Sequence, residues 1–364
     1  MKIAVIGPYP PPYGGVSTSV KQLRHHLLRE HYDARVFVTS REQASEREGI
    51  YYHKGLRSLR ISQNFLYLVK RFQPDLMNSN SNRWPAINAI VVARLLRIPL
   101  VHTIYGENAP KAFAELPYFK KQLVKWSFRQ IDRVIAFSGD LARFVMSLGV
   151  PEEKTVIIPL WLPLVENEIS KPTLLNSLQQ SASGREVVIV STGFYEKAYG
   201  FDLIPPVALT LKERSVDFRW LIVGHGTEQE KQHIRSAISD LGLQNQVILV
   251  GELDHPQVMN LLRCSHVYVR TKYSDSFGLA IAEAHQMGCH CLYADNNPYF
   301  QEGKRLTKYR VGDVDSLTGK LLETIGRIDT TAPRDTESPF AEEAHANYQR
   351  IRNLFLQIAS PHKL

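Results

Sequence analysis

The chain has 364 residues, 44% hydrophobic and 22% charged, with a formal net charge of +8, which suits a globular protein of about two domains. No apolar run approaches the roughly 18 residues of a spanning helix, and MKIAVIG offers too short an apolar stretch for a signal peptide. Cys264, Cys289 and Cys291 are too few for a disulfide framework and lack the spacing of a zinc site, so they read as reduced core thiols in a cytoplasmic protein.

In chain order, Ile3–Ile6 reads as a buried strand, followed by a loop, Pro8–Gly15, and a helix from about Val16 to Arg29. Short apolar strands follow at Arg35–Val38, Leu76–Asn78, Leu100–Thr103, Val134–Phe137 and Val156–Ile158, with helical patterns over Trp84–Leu96 and Leu116–Gln130. A polar stretch from Glu166 to Arg185 reads as a linker. The alternation then restarts with strands Val187–Ser191, Phe218–Val223, Val247–Val250 and Val267–Val269. Helices Leu203–Glu213, Glu228–Leu241 and Pro256–Arg263 lie between them. Two such arrays predict an α/β protein of two doubly wound parallel-sheet (Rossmann-like) domains facing across a cleft, with ligands at the carboxyl ends of the strands. The expected domains are 1–165 and 186–338, joined by the linker 166–185. An amphipathic helix in 339–364 is expected to pack back on the first domain.

The charge is uneven. Residues 1–160 hold 23 Lys and Arg against 12 Asp and Glu, which points to an anionic partner for the first half. No nucleic-acid motif is visible, so an anionic membrane surface is the better candidate. Tyr118, Phe119, Leu123, Trp126 and Phe128 interleave with Lys120, Lys121, Lys125 and Arg129, the composition of an interfacial basic helix. The plainer alternative is a solvated helix face over a core.

Several strand-end loops carry candidate chemistry. Gly14 and Gly15 before a helix allow close approach of a phosphate or sugar, and the absence of a G-x-G-x-x-G order argues against NAD. In VHTIYGEN, His102 lies inside the strand and reads more readily as a core residue, while Tyr105 and Glu107 are expected to emerge on the loop. Gly193 follows a strand, and Lys197 in the next loop is placed to neutralise a diphosphate. Gly224 and Gly226 leave another strand, where backbone contact with a base or ribose is open. The most informative stretch is SDSFGLAIAEAHQMG, residues 274–288. Glu283 sits in an apolar helix, where a carboxylate is costly unless hydrogen-bonded. Asp275 stands at the helix mouth, where free N–H groups attract anions. The competing reading makes Asp275 or Ser276 an N-cap and pairs Glu283 with a basic side chain.

The order of these loops resembles the GT-B glycosyltransferases, specifically family 4 of retaining, nucleotide-sugar-dependent enzymes, from Met1 to about Ile325. The resemblance includes Pro11, Pro12, Gly14 and Gly15, the segment SGDLARFVMSLGVPEEKTVIIP, and the V-G-x-G turn Val223–Gly226. Its most specific part is the paired-acid motif, here Asp275-Ser276-Phe277-Gly278-Leu279 with Glu283 as the second acid. By resemblance, Asp275 contacts the donor sugar, the amides of Phe277, Gly278 and Leu279 hold the sugar or diphosphate, and Glu283 binds the ribose hydroxyls. Gly15 is placed against the diphosphate, and a loop near Leu253 helps set the nucleotide.

The chain departs from the family in three places. The first acid is Asp275 where Glu is usual, Phe194 stands near the usual arginine, and Tyr105 replaces a histidine. Of the usual cation pair only Lys197 remains, so Arg270 and Lys272 are candidate substitutes. The resemblance implies transfer from a UDP- or GDP-sugar to a glycan or lipid-linked acceptor, in cell-surface polysaccharide, lipopolysaccharide or glycolipid synthesis. No Asp-x-Asp metal motif is evident, so no metal and no cofactor are expected; from the charge and motifs above, no nucleic acid is expected either, and the place is cytoplasmic, peripheral to the inner face of the cell membrane. The rival readings are a non-catalytic partner subunit and, further off, a sugar-nucleotide epimerase.

Overall fold

A computed structural model describes residues 1–10, 14–39, 49–51, 66–67, 69–80, 85–106, 109–159, 186–275 and 278–359. The chain divides into two compact units, Met1–Val165 with Ala341–Leu364, and Glu166–Phe340. The expected linker 166–185, Pro11, Pro12, Glu107, Ser276 and Phe277 lie outside the described residues.

The first unit is built on a seven-stranded sheet. Its strands are β1 (Lys2–Gly7), β2 (Asp33–Val38), β3 (Ile50–Tyr51), β4 (Leu76–Asn80), β5 (Leu100–Ile104), β6 (Arg133–Ala136) and β7 (Thr155–Ile157). They run parallel in the order β3-β2-β1-β4-β5-β6-β7. Central strands β4 and β5 are buried along their whole length, as a parallel sheet covered on both faces requires. That is why they read as unbroken runs rather than alternating ones.

The long helices fall where the 3.6-residue pattern placed them, at Gly15–Arg29, Pro85–Leu96 and Tyr118–Arg129. The last begins two residues later than its apolar pattern, because Pro117 takes the N-cap position. Beyond Ala341 the helix Pro339–Ala359 belongs to this unit. Ile351 and Phe355 join its core, Arg352 pairs with Glu30 at 2.8 Å, and Arg350 Nη2 donates to the Ile157 carbonyl at 2.6 Å.

The second unit carries a six-stranded parallel sheet in the order β10-β9-β8-β11-β12-β13. The strands are β8 (Val187–Phe194), β9 (Phe218–His225), β10 (Val247–Gly251), β11 (Val267–Arg270), β12 (His290–Ala294) and β13 (Leu306–Tyr309). Its core centres on Trp220, whose Nε1 donates to Ser191 Oγ at 3.0 Å. The edge strand β13 and the helix Val314–Ile325 were not read from sequence as elements. β13 is only four residues long, LTKY, with Thr and Lys in its middle. Cys289 and Cys291 are buried and unbridged. Cys289 Sγ is directed at the Leu262 and Ser265 carbonyls, and burial raises its pKa to about 12.

Candidate functional site

In the second unit the strand order reverses between β8 and β11, the position where open α/β sheets bind ligands. Arg270 closes β11 at that point, and its Nη1 donates to the Thr192 carbonyl of β8 at 3.2 Å. The same guanidinium grips Asp275 with two further bonds, Nε to Oδ2 at 2.9 Å and Nη2 to Oδ1 at 3.0 Å. Lys272 Nζ stands 3.5 Å from Oδ1. The Asp275 side chain is only 3% exposed. Burial alone would raise its pKa, but Arg270 and then Lys272 outweigh it and hold it at about 2.

Aromatic hydroxyls enclose this cluster. Tyr309 donates to the Arg270 carbonyl at 2.7 Å, Tyr268 and Thr192 share a bond of 2.9 Å, and the Tyr199 ring lies under both cations. Lys272 has its pKa lowered by burial and by Arg270. Asp275 and, through space, Glu196 pull the Lys272 pKa the other way.

Gly278 begins the helix Leu279–Gln286 in the left-handed region, φ 75°. A Cβ there would lie 3.1 Å from Asp275 Oδ2, so the first acid sits at the helix N-terminus, as its sequence position implied. Glu283, in the second turn, is buried, with Oε1 2.8 Å from Nε2 of His255. His255 opens the helix His255–Cys264, fixed by a reciprocal cap: Gln257 N–H donates to Asp254 Oδ1 at 2.8 Å and Asp254 N–H to Gln257 Oε1 at 2.9 Å. Both acids have basic partners within the protein, His255 for Glu283 and Arg270 for Asp275. His255 was missed from sequence; the only signal was a histidine directly after an N-capping aspartate.

The glycines after β8 and β9 have a different reason from the expected ligand approach. A Cβ on Gly193 would lie 2.1 Å from Tyr199 Cδ1, one on Gly224 2.0 Å from the Gly193 carbonyl, and one on Gly226 2.8 Å from Tyr195 Cβ. Protein atoms fill that space. Phe194 meets Tyr199 edge-on at 5.4 Å. Lys197 is exposed on the short 3₁₀ turn Lys197–Tyr199. Leu253 is half-buried in the loop after β10, where Glu252 pairs with His225 at 3.1 Å.

In the first unit, Gly14 caps the helix Gly15–Arg29, its N–H donating to Ser17 Oγ at 2.9 Å. Gly15 is exposed, and among the described residues no atom lies within 4 Å of a Cβ built on it. One expectation is corrected here. Tyr105 does not emerge on the loop: it is buried, its ring edge-on to Phe137 and its hydroxyl donating to Asn80 Oδ1 at 2.7 Å. His102, a catalytic candidate that its place inside the strand made more readily a core residue, lies in the core against Phe128, and burial lowers its pKa to about 4. Asn78, Asn80 and Thr103 complete a buried polar ladder around Tyr105. Among the described residues no group of three or more His, Cys, Asp or Glu is placed to hold a metal ion.

Comparison with known proteins places this geometry. The model of Glycosyltransferase Family 4 matches residues 13–164, and that of Glycosyl transferases group 1 matches residues 176–303. The sulfoquinovosyl transferase of Arabidopsis thaliana is 22% identical, aligned over 90% of this chain and 69% of its own. The alpha-monoglucosyldiacylglycerol synthase of Streptococcus pneumoniae is 23% identical, over 87% and 76%. Among solved structures, Anabaena HepE in complex with UDP and glucose superposes with a TM-score of 0.72 at 17% identity, over 99% of this chain and 98% of that one. WaaG, a glycosyltransferase involved in lipopolysaccharide biosynthesis, gives 0.68 at 12%, over 97% and 99%. The structural likenesses bear on the fold, and the two family models extend it to lineage: the chain belongs to the family 4 glycosyltransferases of GT-B fold.

Proposed function

We propose that the protein is an active, retaining glycosyltransferase that moves a sugar from a nucleotide sugar to a membrane lipid or lipid-linked glycan. The observation that carries this reading is the pair of buried acids at the sheet's switch point, Asp275 before the mouth of the helix Leu279–Gln286 and Glu283 inside it, with two cations beside the first. Asp275 would meet hydroxyls of the donor sugar at the N-terminus of Leu279–Gln286. Glu283 would accept from the two ribose hydroxyls, His255 fixing its carboxylate. Arg270 and Lys272 would face the diphosphate and stabilise the negative charge that grows as the bond from the anomeric carbon breaks. The acceptor hydroxyl's oxygen then bonds to that carbon on the face the diphosphate left, its proton passing to an oxygen of the departing diphosphate. Fixed cations and N–H groups suffice for the leaving charge in this scheme, so it calls for no metal. The acceptor class is inferred from the glucosyldiacylglycerol and sulfoquinovosyl relatives. A thermal-shift panel of UDP- and GDP-sugars tests the donor, since a ligand stabilises the state it binds. NMR of the anomeric proton in the product tests retention.

A non-catalytic partner subunit is the second reading, favoured by Tyr199 filling the space beside Gly193 and by both acids being paired already. Slow donor hydrolysis that disappears in Glu283→Ala excludes it. The fold is shared with a putative UDP-N-acetylglucosamine 2-epimerase from Listeria monocytogenes, TM-score 0.61 at 14% identity, and no residue contact here favours that chemistry.

A further inference from the structure

The first unit exposes apolar side chains unevenly. Of the ten large hydrophobic residues exposed among the described ones, six lie on two helices, Pro85–Leu96 and Tyr118–Arg129, which pack against each other. They are Val91, Leu95, Tyr118, Phe119, Leu123 and Trp126, with Tyr118 77%, Phe119 66% and Leu95 66% exposed. Phe119, Leu123 and Trp126 are spaced four and three residues apart, so they form one stripe. Neither helix contains an Asp or Glu, while Lys120, Lys121, Lys125, Arg129 and Arg94 stand on them. An ordinary solvated face mixes both charge signs and keeps aromatics covered. No helix among the described residues is long and apolar enough to cross a membrane.

A second observation lies at the carboxyl ends of the same region. A cavity of about 380 Å³ is lined by Arg94, Arg97, Asp132 and Arg133, with the end of the C-terminal helix at Gln357 and Ile358. Asp132 is the single carboxylate facing three guanidinia. Its Oδ1 takes Arg94 at 3.0 Å, and its Oδ2 accepts the Leu100 N–H at 2.8 Å. Among the described residues, Arg133 reaches only the Asp132 carbonyl, at 2.9 Å, and Arg97, backbone φ 55°, makes no side-chain bond. Two positive charges are therefore unmatched among the described residues at a cavity beside the carboxyl ends of both helices.

We infer that this two-helix face docks on an anionic phospholipid surface, and that the Arg94–Arg97–Arg133 cavity receives a lipid headgroup phosphate. The aromatic stripe would enter the headgroup boundary while the lysines and Arg129 face the anionic plane. The inference does not rest on the acceptor proposed above: docking stands or falls on vesicles that contain no acceptor and no donor.

The experiment is co-sedimentation of the full chain with vesicles of phosphatidylcholine alone and of phosphatidylcholine mixed with phosphatidylglycerol, at low and high salt. Wild type should partition onto the mixed vesicles at low salt. Reversal of three lysines (Lys120→Glu, Lys121→Glu, Lys125→Glu) should weaken partitioning on the order of a hundredfold. The triple variant Phe119→Ser, Leu123→Ser, Trp126→Ser should lose it too, and brominated lipid should quench Trp126. Arg97→Glu with Arg133→Glu should weaken binding to phosphatidylglycerol while leaving the stripe's quenching by added anionic detergent intact. Equal sedimentation of wild type and stripe variant, or none with anionic vesicles, overturns the docking surface. A thermal shift by inorganic phosphate or glycerol phosphate that Arg97→Glu/Arg133→Glu abolishes, with vesicle binding unchanged, overturns the headgroup role and leaves a soluble-phosphate site.

Discussion

Arg270 and Asp275 form a bidentate pair, with Nε and Nη2 of the guanidinium bound to both carboxylate oxygens at 2.9 and 3.0 Å. They stand five positions apart, and the pair bridges the end of a central strand and the mouth of the helix Leu279–Gln286. Its cost of burial is met by the Thr192 carbonyl, which takes another guanidinium proton, and by Lys272.

A buried pair of this kind gives a definite pH response. Asp275 is depressed from an ordinary 3.8 to about 2, so the folded state holds the carboxylate ionised where the unfolded chain is already taking up protons. The contribution is complete above about pH 4 and is lost as pH falls toward 2, about 2 kcal/mol in all. Urea unfolding of wild type against Asp275→Asn over that range should show the variant lacking this part of the slope. Arg270→Leu should cost more, about 3–5 kcal/mol, because it strands a buried carboxylate.

His102 gives a second test of assignment, with a slope of the same sign at higher pH. Its pKa falls from 6.5 to about 4 through burial, so between those values the unfolded chain binds a proton that the folded one refuses. Stability therefore rises with pH from 4 to 6.5, by about 3 kcal/mol for this residue. His266, also lowered to about 4, adds a similar slope that survives in His102→Leu. That variant should flatten the stability curve while retaining transfer activity within a few-fold. A loss of a hundredfold or more with unchanged stability would return His102 to the catalytic centre.

Gly193 and Tyr199 should be coupled. An alanine methyl at 193 runs into the Tyr199 ring, an overpacking that costs about 1–3 kcal/mol. Tyr199→Ala removes the obstacle, so the double variant should be more stable than the sum of the two single losses. A double-mutant cycle read by thermal unfolding checks this; additive losses would mean that Gly193 is glycine for another reason.

These contacts show how far the chain's sequence can be read. The central strands were legible because both sheet faces are covered, leaving apolar runs such as LVHTI between turn residues. β3 and β13 were not, being two and four residues long at sheet edges. Glu283 stood out as a charge in an apolar helix, but its partner comes from another helix 28 residues away, and nothing local encodes that pairing. Gly193, Gly224 and Gly226 were read as room for ligand, when the atoms nearest a Cβ there belong to Tyr199, the Gly193 carbonyl and Tyr195. Tyr105 looked loop-borne because its partner, Asn80, lies on the neighbouring strand.

The central claim is that Glu283 holds the ribose of a nucleotide-sugar donor. Calorimetric titration of UDP- and GDP-sugars into wild type, Glu283→Ala and His255→Ala tests it most directly. Wild type should bind one nucleotide class, Glu283→Ala should weaken it at least about tenfold through the loss of two charge-assisted bonds, and His255→Ala should weaken it less. No binding of either class to wild type, or equal binding by wild type and Glu283→Ala, would contradict the account.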